Sequence, residues 1–146
     1  MKADNQTFLG VGWAFPPSFQ PEINSAVMSA DVENINQNLS ILFRTKIGER
    51  IMEYGYGTNL HALVFQTNNT TLLGDITNTI SKAILLYEAR VTLEQVTIEN
   101  QDELNGRIDI KVTYLVPNTN SRSNFVFPFY LNEGTNLPFK PAPSTL

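Results

Sequence analysis

The stretch TLLGDITNTISKAILLYEARVTLEQVTI, residues 71–98, contains the change of period that decides the fold. Up to Tyr87 the apolar residues Leu72, Leu73, Ile76, Ile80, Ala83, Ile84 and Tyr87 recur at helical spacing, while Asp75, Thr77, Asn78, Thr79 and Lys82 fill the opposite side. After Arg90 the period drops to two, with Val91, Leu93, Val96 and Ile98 in a β-rich run. A long amphipathic helix therefore hands over to a strand at Glu88, Ala89 and Arg90, and its apolar stripe is expected to lie on a sheet.

Downstream, Ile108, Ile110, Val112 and Tyr114 alternate with Asp109, Lys111 and Thr113, which predicts a second strand after the polar connection NQDELNG at 100–106. A third strand is predicted over 124–131, after the turn-forming run PNTNSRSN at 117–124. Pro128 lies inside it and lacks a ladder donor, so an edge position or a bulge is expected there. Upstream, residues 29–44 predict a helix in which Val32, Ile35, Leu39, Leu42 and Phe43 pack, leaving Asn34, Asn36, Gln37 and Asn38 on a face that is wet or bound. Ser29 is the expected N-cap, Asp31 and Glu33 match the positive end of the helix dipole, and Arg44 and Lys46 match the negative end. Gly48 is expected to stop or redirect it. A weaker helical signal covers 59–65. Helices followed by a three-stranded antiparallel meander define an α+β fold.

The two ends read differently. Residues 1–28 lack either period, and within them LGVGWAFPPSF at 9–19 mixes Gly, Pro and large aromatics, so an extended N-terminal segment is expected across an apolar surface. Trp13, Phe15 and Phe19 either cap the core or anchor an interface. The proline-rich 132–146 reads as an extended C-terminal arm. With 146 residues the prior is a single domain, 1–146, able to bury roughly two thirds of its unfolded surface.

Composition narrows the function classes. Hydrophobic residues make up 42% and charged residues 16%, below the roughly 25% of ordinary globular chains, which suggests that much of the surface meets other protein. The net charge of −4 and the absence of a Lys/Arg cluster argue against a nucleic-acid partner. No cysteine is present, so disulfides, thiol nucleophiles and zinc-thiolate sites drop out, and the single His61 has no carboxylate or second histidine at i+3 or i+4. No cofactor or metal is expected. No apolar run approaches the ~20 residues of a membrane helix, and the N-terminus lacks a secretory pattern, so no membrane insertion is expected.

Carboxylates are the remaining chemistry, because a glycosidase needs an acid pair across a sugar cleft. Glu49, Glu53, Glu88, Glu94, Glu99, Asp102 and Glu103 are available, yet none stands out by spacing. Glu49 precedes Arg50, and Glu88 lies two residues before Arg90, which favours ion pairing and opposes the protonated state a general acid requires. Glu88 and Arg90 fit either a local ion pair that fixes the helix-to-strand turn or an intermolecular contact, for which the planar guanidinium is well suited.

Five segments in order, GWAFPPSF at 12–19, LFRTKIGER at 42–50, YGYG at 54–57, ILLYEARV at 84–91 and NSRSNFVFPFYLNEG at 120–134, resemble the sheath-initiator, or baseplate wedge, family of contractile injection systems. That family spans phage tails and type VI secretion baseplates and carries an older lysozyme-like label. The resemblance implies a non-enzymatic component that docks on baseplate wedge and core proteins and nucleates the contractile sheath within a multi-subunit ring. Such a protein would be made in the cytoplasm of the producing cell and incorporated in the baseplate. The family's Glu-Pro-Arg element reads Glu88-Ala89-Arg90 here, with Ala in place of the proline. The resemblance implies docking through Glu88 and Arg90, with Glu49 and Arg50 as further candidate protein-contact residues and Phe125, Phe127 and Phe129 on a candidate edge strand to which sheath segments add. Arg90→Glu is then expected to abolish incorporation and leave the isolated domain folded. The rival expectation is a peptidoglycan-cleaving baseplate enzyme.

Overall fold

The computed structural model describes residues 9–63, 70–102 and 106–130. Four short strands come first: β1 (Val11–Trp13), β2 (Phe19–Gln20), β3 (Ser25–Ala26) and β4 (Met28–Ala30). Helices α1 (Asp31–Arg44), α2 (Leu60–Leu63) and α3 (Thr70–Tyr87) follow. Strands β5 (Thr92–Asp102), β6 (Arg107–Val116) and β7 (Ser121–Tyr130) complete the described chain. The last three form an antiparallel sheet in the order β5-β6-β7, so the α+β architecture and the meander expected from the sequence are both present.

The alternation in β6 explains why it is central. Ile108, Ile110, Val112, Tyr114 and Val116 all point to one face and are all buried, beneath Ile35, Leu39, Leu42 and Phe43 of α1 and Leu72, Ile76, Ile80 and Ile84 of α3. Each such side chain contributes about 1.5–3 kcal/mol on leaving water. Phe43 meets the rings of Phe125 and Phe127 at centroid distances of 6.0 and 5.6 Å, which fixes β7 against the first helix. Tyr114 is the largest of the buried side chains, and its hydroxyl donates to Asn36 Oδ1 at 2.7 Å.

Burial pushes the Tyr114 phenol up to about 12; the hydrogen bond with Ser123 pulls the other way, as does Arg90, and the Glu88 carboxylate adds to the rise. An unfolded tyrosine ionises near pH ~10, so between that pH and the folded value the unfolded chain sheds a proton that the native chain retains. The stabilisation is complete below pH ~10 and is lost as pH rises through the folded pKa, by about 2–3 kcal/mol in all. Denaturation midpoints measured from pH 9 to 12 should therefore fall less steeply for Tyr114→Phe than for the native chain, and parallel curves would contradict this origin.

The N-terminal segment departs from the extended run that the sequence predicts. From Val11 onward it is a bent hairpin, with β1 against β4 (Gly12 opposite Ser29) and β2 against β3 (Phe19 opposite Ala26), and a cis Phe15–Pro16 peptide between β1 and β2. The pairing was illegible because the inward face of β1 and β4 is made by Gly12 and Ser29 and carries no apolar pattern. Trp13 and Phe19 are 64% and 68% exposed and meet edge to face at 6.2 Å, so these two rings do not cap the core.

Because β4 pairs with β1, α1 starts at Asp31 rather than at Ser29, and its N-cap is Ala30, whose side chain makes no capping bond. Ser29 is instead a buried acceptor for the Asn34 amide. The helix also ends before Gly48: Thr45 closes it with its backbone N–H and hydroxyl on the Ile41 carbonyl. His61 Nε2 lies 3.2 Å from the Arg44 carbonyl at that same end. The C-terminal arm expected over 132–146 lies outside the described residues.

Candidate functional site

The polar face of α1 is bound within the chain, with Asn34 buried and Asn36, Gln37 and Asn38 half-buried. Asn34 is buried, its Nδ2 donating to Ser29 Oγ at 3.0 Å and its Oδ1 accepting from Arg90 Nη1 at 2.9 Å and from Asn38 Nδ2 at 3.3 Å. Gln37 Oε1 accepts the Phe15 N–H at 3.0 Å. The hairpin therefore seats on the asparagine-rich side of the helix. Gly12 permits the close approach, since a Cβ at that position would stand 2.7 Å from Asn34 Nδ2.

Arg90 ties this seat to the handover between α3 and β5. Its Nε and Nη2 donate to the two Glu88 carboxylate oxygens, each at 2.7 Å, and Nη1 donates also to the Leu9 carbonyl at 3.0 Å. Glu88 is buried, and its backbone N–H reaches the Ile84 carbonyl while Val91 N–H returns to the Glu88 carbonyl, closing a turn with Ala89 at its second position. That position favours proline in common turns, the residue that the resemblance implies for it. Here the bidentate pair holds the turn. Of the two readings open from the sequence, the local ion pair is present, and it extends to the N-terminal segment and α1. This geometry bears on the expectation that the Arg90→Glu domain stays folded. All the other contacts of the Arg90 guanidinium are acceptors, so Arg90→Glu cannot leave the fold untouched.

Glu49 and Arg50 occupy the loop between α1 and α2. The loop is closed at its base by Thr58, whose N–H reaches the Thr45 carbonyl at 2.8 Å and whose hydroxyl reaches that of Phe43 at 3.2 Å. Gly57 makes this closure possible: its φ is +120°, and a Cβ there would stand 2.5 Å from Thr45 O. The YGYG segment thus has a steric account. Tyr87 on α3 holds the loop from the other side, through its hydroxyl on the Gly55 carbonyl at 2.5 Å and its ring on Tyr56 at 5.2 Å.

The ion pair expected between Glu49 and Arg50 does not form. Neighbours in sequence project apart here: a Glu49 oxygen accepts the Lys46 N–H at 3.0 Å, whereas the Arg50 guanidinium stacks 4.7 Å from the Tyr56 ring centre. The fold nevertheless brings the two charged motifs together. Arg50, Tyr56, Tyr87, Glu88, Ala89, Arg90, Asn38 and Leu42 line one half-open groove of about 400 Å³. Sequence reasoning singled out Arg50, Glu88 and Arg90 among them and missed Asn38, Tyr56 and Tyr87. The i, i+4 pair Asn34 and Asn38, beside an otherwise apolar stripe, was the available signal.

Phe125, Phe127 and Phe129 stand away from this groove. Phe127 and Phe129 are core residues, and Phe125 packs on Phe43, so these side chains point inward and only their strand's backbone faces outward. β7 is an edge, as Pro128 led one to expect, and its register with β6 runs without a shift from Val116 opposite Ser121 to Arg107 opposite Tyr130, so Pro128 marks no bulge. The opposite edge, β5, has irregularities between Leu93 and Gln95 and between Asn100 and Asp102.

The described residues thus form a helix-backed three-stranded sheet with a pinned N-terminal hairpin and an uninterrupted outer strand. Among the described residues no group of three or more His, Cys, Asp or Glu side chains is placed to hold a metal, and no helix is long and apolar enough to cross a membrane. The chain belongs to the family described as baseplate wedge protein gp25, whose profile matches residues 29–121. It is 32% identical over 83 residues to baseplate protein W of Escherichia phage P2, a match spanning 57% of this chain and 70% of that protein. A candidate tail lysozyme from Geobacter sulfurreducens, known from a crystal structure, is 39% identical, with a TM-score of 0.68 over 75% of this chain and 99% of its own. A chain of the anti-feeding prophage baseplate is 31% identical, with a TM-score of 0.62 over 88% of this chain and 90% of its own. The protein is thus a baseplate wedge component of a phage-tail-like contractile injection system.

Proposed function

We propose that this chain nucleates the contractile sheath on the baseplate and does so without enzymatic activity. The groove lined by Glu88, Arg90 and Arg50, with Glu49 on the adjoining loop, faces baseplate wedge and core proteins. The outer edge of β7 receives a strand from the sheath protein. The observation that carries the reading is that edge: β7 pairs with β6 on one side, no described strand pairs with its other side, and its ladder has no bulge. An exposed straight edge is an aggregation hazard in a free protein, and it is tolerated where an assembly pairs it. Strand addition takes its affinity from the main chain, which agrees with Phe125, Phe127 and Phe129 having their side chains turned inward.

On this reading the protein is made in the producing cell's cytoplasm, joins a multi-subunit ring and needs no cofactor. The experiment is affinity purification of the tagged chain from its native cells, with mass-spectrometric stoichiometry. Baseplate and sheath subunits should be recovered in fixed ratios. Recovery of baseplate proteins with the sheath consistently missing would overturn the nucleating role, and peptidoglycan turnover by the purified chain anywhere from pH 4 to 8 would overturn the non-enzymatic one.

A further inference from the structure

We propose that Arg50, rather than Arg90, is the guanidinium that meets the baseplate partner, and that it takes a carboxylate side chain of that protein. The inference rests on the docking role given above to the groove and assigns its chemistry. Arg90 has spent its Nε, Nη1 and Nη2 on Glu88, Leu9 and Asn34, and so offers little of its fork to an incoming group. Arg50 is exposed, and no carboxylate of the described residues pairs with it. Among the described residues its guanidinium interacts with the face of Tyr56. A contact with a ring face engages the charge and forms no hydrogen bond, so the guanidinium N–H groups remain available to a carboxylate, which can accept two of them side by side.

The platform is also fixed in advance. Tyr56 is held by the Tyr87 ring, and Tyr87 by the Gly55 carbonyl, so less side-chain freedom is lost when a partner arrives. The charges nearby select an anion. Glu88 is neutralised by Arg90 and buried, and the exposed Glu49 on the adjoining loop directs its carboxylate to the Lys46 N–H and not to Arg50, so Arg50 is the unpaired cation of the groove's lining. A polyanion is a poor occupant, because the chain carries a net charge of −4 and the groove's lining holds one unpaired cation. A single Asp or Glu on a protein surface matches both facts, and the exposed Leu85 and Leu86 on the last turn of α3 offer apolar contact near Tyr87.

The test uses the full chain, tagged and expressed in native cells in place of the wild type, with baseplate occupancy quantified by mass spectrometry and melting followed on the purified variants. Wild type should occupy baseplates; Arg50→Gln should lower occupancy about tenfold, Arg50→Glu at least as much, and Arg50→Lys less than either. Exchange of the facing Asp or Glu, located by cross-linking, to Arg should restore Arg50→Glu. Wild-type occupancy with Arg50→Glu unimpaired would overturn this inference alone. Absence of the wild type itself from baseplates would remove the docking role and the inference with it. Losses that follow a lowered melting temperature in every variant, Arg50→Lys included, would also overturn it, since they would make the stack purely structural.

Discussion

Arg90→Glu should yield a chain whose N-terminal hairpin has come away from α1 and whose melting midpoint lies about 10 °C below that of the native protein, from a loss of about 3 kcal/mol. The reason is the set of partners. Glu88 has a side chain only 7% exposed and relies on two charge-assisted hydrogen bonds of 2.7 Å, and the Leu9 carbonyl and Asn34 Oδ1 are acceptors as well. Replacing the guanidinium by a carboxylate leaves one buried anion uncompensated and brings a second beside it. Breaking a buried pair by removing one member costs about 3–5 kcal/mol, and the lower figure suits an arginine that is 28% exposed. Arg90→Met removes the charge without the repulsion and should fall between the two. Glu88→Gln, which keeps one acceptor oxygen, should cost less again. Chemical denaturation of the three variants and the Arg90→Met/Glu88→Gln double variant gives the coupling directly, and a coupling near zero would contradict a bidentate pair. Amide exchange supplies the local readout: residues 11–13 and 28–30, which pair as β1 and β4, should lose protection before the sheet does. A failure of Arg90→Glu to enter baseplates would then report a displaced hairpin as much as a lost contact, so Arg50 is the better probe of docking.

The parts of the fold that were legible are those in which one periodic face carries the burial. The stripe on α3 and the alternation in β6 each match the buried set closely, because Leu72, Ile76, Ile80 and Ile84 at one period and Ile108, Ile110 and Val112 at the other can pack in only one way. Where polar groups carry the structure, pattern was silent. Asn34 looks like a solvent-facing helix residue, yet it is the hub joining Ser29, Asn38 and Arg90, and nothing in its helical position announces a partner 56 residues away. The hairpin was hidden for the opposite reason: the large apolar residues Val11, Trp13, Phe19 and Met28 are exposed, while the inward positions of β1 and β4 are Gly12 and Ser29, so the alternation of burial runs against the alternation of hydrophobicity. At the candidate site, adjacency misled. Glu49 and Arg50 are consecutive but face different ways, whereas Arg50 and Glu88 share a groove only because Gly57 lets the loop close on α1 and Tyr87 holds it there.

A proline at position 126 should stop sheath nucleation while leaving the domain folded. Within a sheet, proline is tolerated where its nitrogen faces away from the ladder, and Pro128 stands opposite Asp109 in a register with no shift. Its nitrogen therefore points to the free side of β7. Main-chain direction alternates along a strand, so the N–H groups of Asn124, Val126 and Tyr130 share that outward side, whereas those of Phe125, Phe127 and Phe129 face β6. Val126→Pro removes the outward donor nearest the middle of the strand and, with Pro128, leaves two successive gaps, which should weaken an added strand by tenfold or more through the lost bonds and the ring's bulk. The ladder to β6 keeps its own donors. Val126 is 52% exposed, so little packing is lost, and a melting change of about 1 kcal/mol is the most expected from forcing φ toward the proline value. Val126→Thr, with an intact N–H and a similar shape, should behave as wild type. The measurement is sheath polymerisation on purified baseplates carrying each variant, counted by electron microscopy. Sheaths of normal number on Val126→Pro baseplates would show that the incoming strand pairs elsewhere. The irregular β5 edge is then the remaining candidate in the sheet, and proline substitutions at the exposed Gln95 would be the corresponding probe.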